Sequence, residues 1–210
     1  WQRRKIAPQP KPAGLDWERF LGPATPVPYD WIRYDSWRYF PDYGRGLLAD
    51  ILTHWVDVAQ WFLSETRPAS AVASGGIYQL RDGRENPDTV SAILQYAGGW
   101  SFQFESSVLS LATTRPSVFF QGTEGSLDIA RDGYLFRPNK GNPVEVKSAE
   151  NLELAHATNF LDAVKNGSRP SADIEVGVQA CNPVHLATAA YWRRKRMRFD
   201  ASGSRIEEDI

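Results

Sequence analysis

GRGLLADILTHWVDVAQWFL, residues 44–63, is the longest segment of the chain that is at once helical in pattern, largely apolar and chemically armed. At 100° per residue, Leu47, Ile51, Trp55, Val58 and Phe62 share one broad arc. Asp50, His54, Asp57 and Trp61, at i, i+4, i+7 and i+11, form a second, narrow stripe. The remaining face carries Ala49, Thr53, Val56, Gln60 and Leu63, so the helix is apolar nearly all round and is expected to be buried. Two carboxylates and an imidazole on a buried helix are costly unless they are paired or used.

The segments around this helix define its setting. Before it, Trp31–Tyr43 (WIRYDSWRYFPDY) is unusually aromatic and lacks a clean period, which predicts an ordered loop with at most one helical turn. Asp16 caps a short DWERFL turn that Gly22-Pro23 stops. Residues 1–14 are basic and proline-rich, an extended linker arm leading into a domain over 15–210.

After Pro68 the pattern becomes strand-like. Ala69–Leu80 ends at a polar turn, RDGRENPD. Val90, Ala92, Leu94 and Tyr96 alternate with Ser91, Ile93 and Gln95, and Gly98-Gly99 closes a hairpin to Trp100–Leu109. Ser117–Gln121, Ser126–Ala130, Gly133–Arg137 and Val144–Lys147 follow at spacings too short for parallel crossovers. Helices are predicted over Asn151–Asn166 and from Ile174 to about Arg194, the second kinked or broken at Pro183, and a short strand over Met197–Asp200 precedes a charged tail. The fold class is therefore α+β: a large open, mainly antiparallel sheet with helices packed on one face. The other face needs water or a cover, so a homo-oligomer through that sheet face is expected.

Composition narrows the partners. A hydrophobic content of 42% suits a chain that buries a real core, and a net charge of −1 gives no reason to expect nucleic acid or an anionic membrane. No charge-free apolar run approaches ~18 residues, so no membrane-spanning helix is expected. The lone Cys181 allows no internal disulfide and leaves the compartment, cytoplasmic or periplasmic, undetermined. It reads as a core thiol on an amphipathic helix. The chain opens on Trp1, so sequence upstream of it is expected. A zinc site on Asp50, His54 and Asp57 is disfavoured because no second histidine or cysteine stands at ligand spacing.

The pattern G-x-G-x-x-x-D-x-x-x-H-x-x-D over Gly44, Gly46, Asp50, His54 and Asp57 resembles the C-terminal domain of the Gfo/Idh/MocA oxidoreductases. DWERFLGPA, WRYFPDYGRG, SGGIYQLRDGRENPDTVSA, FQGTEGSLDI, HATNFLDAVKNGSRPSADIEVG and HLATAAYWRRKRMRFD are similar to family segments and stand in the family's order. The resemblance implies a two-domain enzyme, with NAD or NADP on an N-terminal Rossmann domain and a sugar or polyol substrate on this one. No G-x-G-x-x-G follows a strand here, so this chain alone is expected to bind no dinucleotide.

Histidine has an ordinary pKa near ~6.5 and can accept a proton at neutral pH, which suits His54 as base for the substrate hydroxyl. Asp50 would position that hydroxyl or stabilise the imidazolium. Asp57 would orient the ring from its other side or contact substrate. A structurally satisfied core histidine is the alternative. Arg38, Tyr43, Arg45 and, by family position, His156 are further substrate-binding candidates, with Trp37 and Tyr39 available for ring stacking. For His156, at the start of the first late helix with Asn159, a surface capping role is the alternative; His185 suits helix packing or the cleft mouth. Where the family often has three glycines, this chain has Gly44-Arg45-Gly46, which favours an anionic or heavily hydroxylated ligand. Asn182-Pro183 interrupts a helix that the family usually continues. Two other functions fit the resemblance: a non-catalytic carbohydrate-binding or scaffold protein, and a glycosidase that oxidises and re-reduces its sugar with a retained NAD. A Rossmann segment upstream of Trp1 would distinguish the first reading from the binder.

Overall fold

The computed structural model describes residues 7–109 and 118–209. Residues 7–14 form no helix or strand. Asp16 caps α1 (Trp17–Leu21) by accepting from the Arg19 N–H, and Gly22, at φ +58°, ends it. The aromatic segment is more helical than its lack of period suggests. Asp30 caps α2 (Trp31–Asp35), and a 3₁₀ turn, Trp37–Tyr39, follows. Aromatic packing replaces periodicity there: the Trp17 ring stacks on Phe20, and Phe20 packs against Tyr34 and Tyr43.

The helix at the centre of the sequence is helical as expected but not regular. A π-helical turn, Leu48–Leu52, leads into α3 (Thr53–Leu63). Its buried face is Leu48, Leu52, Val56, Ala59 and Gln60, whereas Trp61 and Phe62 are 65% and 56% exposed. The expected arc through Ile51, Trp55, Val58 and Phe62 is therefore not the core face. With apolar residues all round, the face that turns inward is selected by its neighbours.

All strand pairs are antiparallel, and they divide into two sheets rather than one. The first joins β1 (Ser70–Gly76), β2 (Thr89–Gln95) and β3 (Ser101–Ser107) to a C-terminal hairpin of β8 (Met197–Phe199) and β9 (Ile206–Glu208), in the order β3-β2-β1-β8-β9. The second is the meander β4 (Val118–Gly122), β5 (Gly125–Ala130), β6 (Gly133–Pro138) and β7 (Val144–Lys147). The first residue of the predicted strand at Ser117 lies outside the described residues. The charged tail supplies β9.

Alternation in β2 works as the pattern required. Val90, Ala92 and Leu94 face in, and Ser91, Ile93 and Gln95 face out. Against that inner face pack Leu48, Leu52 and Val56, together with Val184, Leu186, Ala187 and Ala190 of α5 (Ile174–Arg193). Burying each such side chain is worth about 1.5–3 kcal/mol relative to exposure. α5 is one helix, unbroken at the buried Pro183. The proline ring removes one hydrogen bond, and packing on both sides holds the helix together across the gap.

The preceding helix, α4 (Leu152–Asn166), capped by Asn151 and Gly167, behaves differently. Leu154, Phe160, Leu161 and Val164 are 53–66% exposed, and only Ala163 is buried. Among the described residues no helix is long and apolar enough to cross a membrane.

Candidate functional site

The site begins in the loop between the 3₁₀ turn and the helix. The Arg38 guanidinium lies over the Trp37 ring, 4.3 Å from its centroid, and its Nε stands 3.4 Å from Asp50 Oδ2. Both side chains are about half exposed, so the pair contributes little to stability and remains open to exchange with a ligand. Gly44 and Gly46 flank Arg45. A Cβ on Gly44 would meet the Arg38 Cα at 3.2 Å, and Gly46 takes φ +61° with Asn86 against it. Arg45 is exposed and pairs with no carboxylate among the described residues.

Asp50 sits within the π turn. The extra residue in such a turn shifts what lies after it relative to what lies before, so Asp50 leaves the simple stripe drawn from 100° steps. Its ionic partner is Arg38. His54 and Asp57, both in the regular part of the helix, remain neighbours one turn apart. Asp57 is half-buried; burial raises its pKa, opposed by a hydrogen bond from the Trp61 side chain and by the charge of His54. His54 itself is exposed. The polar stripe thus lies on a flank that is open at His54 and half-buried at Asp57, and the cost expected of burying it falls on Asp57 alone.

The other candidates divide. Tyr43 packs its ring against Phe20, and its Oη is buried with no hydrogen-bond partner among the described residues, which makes it a wall of the loop and not an exposed stacking platform. Tyr39 is buried, with Arg84 over its ring at 4.3 Å. His156 is exposed on α4, beyond the cap that Asn151 provides, and that helix packs only sparsely on the other elements. Asn159 accepts from the N–H and hydroxyl of Ser171, closing the turn between α4 and α5. His185 is exposed, and Cys181 is half-buried on α5.

The turn RDGRENPD holds residues that periodicity passes over. Arg84 is 8% exposed and makes a bidentate pair with Asp82, both contacts at 2.8 Å. Asn86 donates from Nδ2 to the carbonyls of Arg38 and Gly44, each at 2.8 Å. The carbonyl of Tyr39 accepts from the Glu85 and Asn86 N–H groups. Asp88 has no exposed surface, and its carboxylate accepts from the N–H groups of Tyr78, Gln79 and Leu80. A signal for these was present: six charged or amide side chains crowd one short turn directly before a buried strand.

The GFO/IDH/MocA C-terminal domain model matches residues 21–128, which include the aromatic loop, the π turn, α3 and the first three strands. The chain belongs to the Gfo/Idh/MocA oxidoreductases as a C-terminal domain. No curated protein matches it. Among solved structures, aldose-aldose oxidoreductase from Caulobacter crescentus, complexed with glycerol, has 16% identity and a TM-score of 0.64, the match covering 78% of this chain and 50% of that one. Levoglucosan dehydrogenase, in complex with NADH and levoglucosan, has 17% identity and a TM-score of 0.61 over 74% of this chain and 50% of that one. The WlbA dehydrogenase from Bordetella pertussis, in complex with NADH and UDP-GlcNAcA, has 16% identity and a TM-score of 0.57 over 83% and 51%. At these identities the likeness is one of fold. This Gfo/Idh/MocA chain spans about half the length of those solved relatives.

Among the described residues no two strands pair in parallel, so there is no parallel β–α–β unit with a glycine-rich turn to hold a dinucleotide.

Proposed function

We propose that this chain is the substrate-binding and catalytic-base domain of an NAD(P)-dependent sugar or polyol oxidoreductase whose cofactor rests on a separate domain. The observation that carries the reading is His54 on an open helix flank beside Asp57, within the matched family segment. His54 accepts the proton of the substrate hydroxyl. Asp57, one turn further along the helix, lies within electrostatic reach of the imidazole and stabilises the positive charge it acquires. Asp50, in exchange for Arg38, takes a hydroxyl of the substrate, and Arg38 and the exposed Arg45 receive further hydroxyl or anionic groups.

The bound levoglucosan and glycerol of the fold relatives support a polyhydroxylated substrate. The uncovered apolar side of α4 and the exposed end of α3 support a second domain packed against this one. The outer face of the first sheet, with Val72 and Ile93 exposed among Ser74, Ser91 and Gln103, is the surface we assign to self-association.

The test has two arms. The intact protein, given NAD⁺ or NADP⁺ and a panel of aldoses and polyols, is expected to form reduced nicotinamide. Sugar binding without reduction would replace the enzyme with a binding module. The 210-residue chain alone is expected to give no saturable heat with NAD⁺ or NADP⁺ in calorimetry. Micromolar affinity would overturn the division of labour between two domains.

A further inference from the structure

We propose that Asn86 is a positioning residue for this site: its carboxamide ties the carbonyls of Arg38 and Gly44 together, fixing the loop that aims Arg38 at Asp50 and starts the helix bearing His54. The proposal rests on the reading of Asp50 and His54 as substrate-side groups.

An amide nitrogen has two N–H donors, and both of these are used, each at 2.8 Å, on carbonyls six residues apart. The clamp therefore closes the segment 38–44 upon itself. The backbone strengthens it, because the N–H groups of Glu85 and Asn86 both reach the Tyr39 carbonyl, at 3.0 and 2.8 Å. Asn86 is 3% exposed, so its bonds are made away from competing water. Its Cβ occupies the space beside Gly46, where a Cβ would stand only 3.1 Å away. A side chain at 46 would crowd that contact and would have to adopt φ +61°.

Asn86 is itself held from both sides. Arg84, paired with Asp82, lies over the Tyr39 ring, and Asp88 binds the N–H groups of Tyr78, Gln79 and Leu80. The turn 77–88 is thus a rigid block, and Asn86 is the side chain it extends into the site loop. One end of the clamp fixes the backbone of Arg38, whose guanidinium reaches Asp50. The other fixes Gly44, two residues before Gly46 and the start of the helix.

Phenylglyoxal modification of arginines, read by mass spectrometry on the intact protein, tests this. In Asn86→Ala and in the isosteric Asn86→Asp, Arg38 should react roughly threefold faster, as expected when an exposed ion pair is released. Hydrogen exchange over residues 38–46 should accelerate in parallel, while exposed Arg131, in the turn between β5 and β6, keeps its rate. An unchanged Arg38 rate in Asn86→Asp would overturn the proposal, since shape alone would then suffice. Equal acceleration of Arg38 and Arg131 would overturn it too, by showing general loosening. Should both variants fail to fold, the unmodified protein decides. The Asn86 Nδ2 protons should exchange at least about tenfold more slowly than those of exposed Asn166, and equal rates would remove the clamp. Release of Arg38 in a protein whose turnover does not need His54 would support the clamp and reject only the catalytic reading of the site.

Discussion

Replacing His54 by alanine in the intact oxidoreductase is expected to lower kcat by about 10²-fold or more, the usual cost of losing a general base. KM should move much less, because the proton transfer is made only in the transition state. The structure makes the experiment clean. His54 is exposed on the helix flank and belongs to no buried cluster, so its removal leaves the core of Leu48, Leu52 and Val56 untouched. Surface changes of this kind shift stability by about 0.5 kcal/mol or less, and the melting temperature of the variant should stay close to the parent's. Unchanged turnover would reduce His54 to a surface residue and remove the base from the proposed mechanism.

The parts of this site that were legible in the sequence are those whose partners lie within a turn or two. The spacing of His54, Asp57 and Trp61 placed them together because a regular α-helix repeats every 3.6 residues, and α3 is regular from Thr53 onward. Asp50 lies in the π turn, where that arithmetic fails, and nothing in the one-dimensional pattern marks an inserted residue. The same limit hid the core face of the helix: apolar residues all round give periodicity nothing to select, and the choice fell to contacts with β2 and α5.

Local rules also carried most of the sheet. Alternation along β2 and the Gly98-Gly99 turn fixed a hairpin to β3. They could not show that the ladder breaks after β3, since turn spacing says which strands are neighbours and not where one sheet ends. Asn86 was missed for a different reason. Its acceptors are 48 and 42 residues away in sequence, and a hydrogen bond across that span leaves no periodic trace. The π turn and the clamp both act on the loop carrying Arg38, so the irregular features of the chain gather where a ligand is expected to bind.

Asp88→Ala is expected to destabilise the protein by about 3 kcal/mol, because it takes a buried charged acceptor away from three part-buried N–H groups. The carboxylate has no exposed surface and binds Tyr78, Gln79 and Leu80 at 2.9–3.1 Å, while its own backbone links Gly76 of β1 to Val108 beyond β3. Burial by itself would raise the Asp88 pKa, but the backbone N–H groups, helped by the Thr89 side chain, more than offset it, and the pKa lies below that of an ordinary carboxylate. A depressed pKa in the folded state means that the unfolded chain takes up the proton first. The stabilisation is therefore fully present above the unfolded value of about 3.9 and is lost as the pH falls through the lower folded value. Denaturant unfolding at about pH 7 should show the whole difference between parent and variant, and the gap should narrow steadily below about pH 4. A gap of the same size at about pH 3 would show that the loop needs the shape of Asp88 and not its charge. Because the turn that Asp88 anchors also carries Asn86, the parent should lose the protection of residues 38–46 over the same acid range, ahead of the sheet itself.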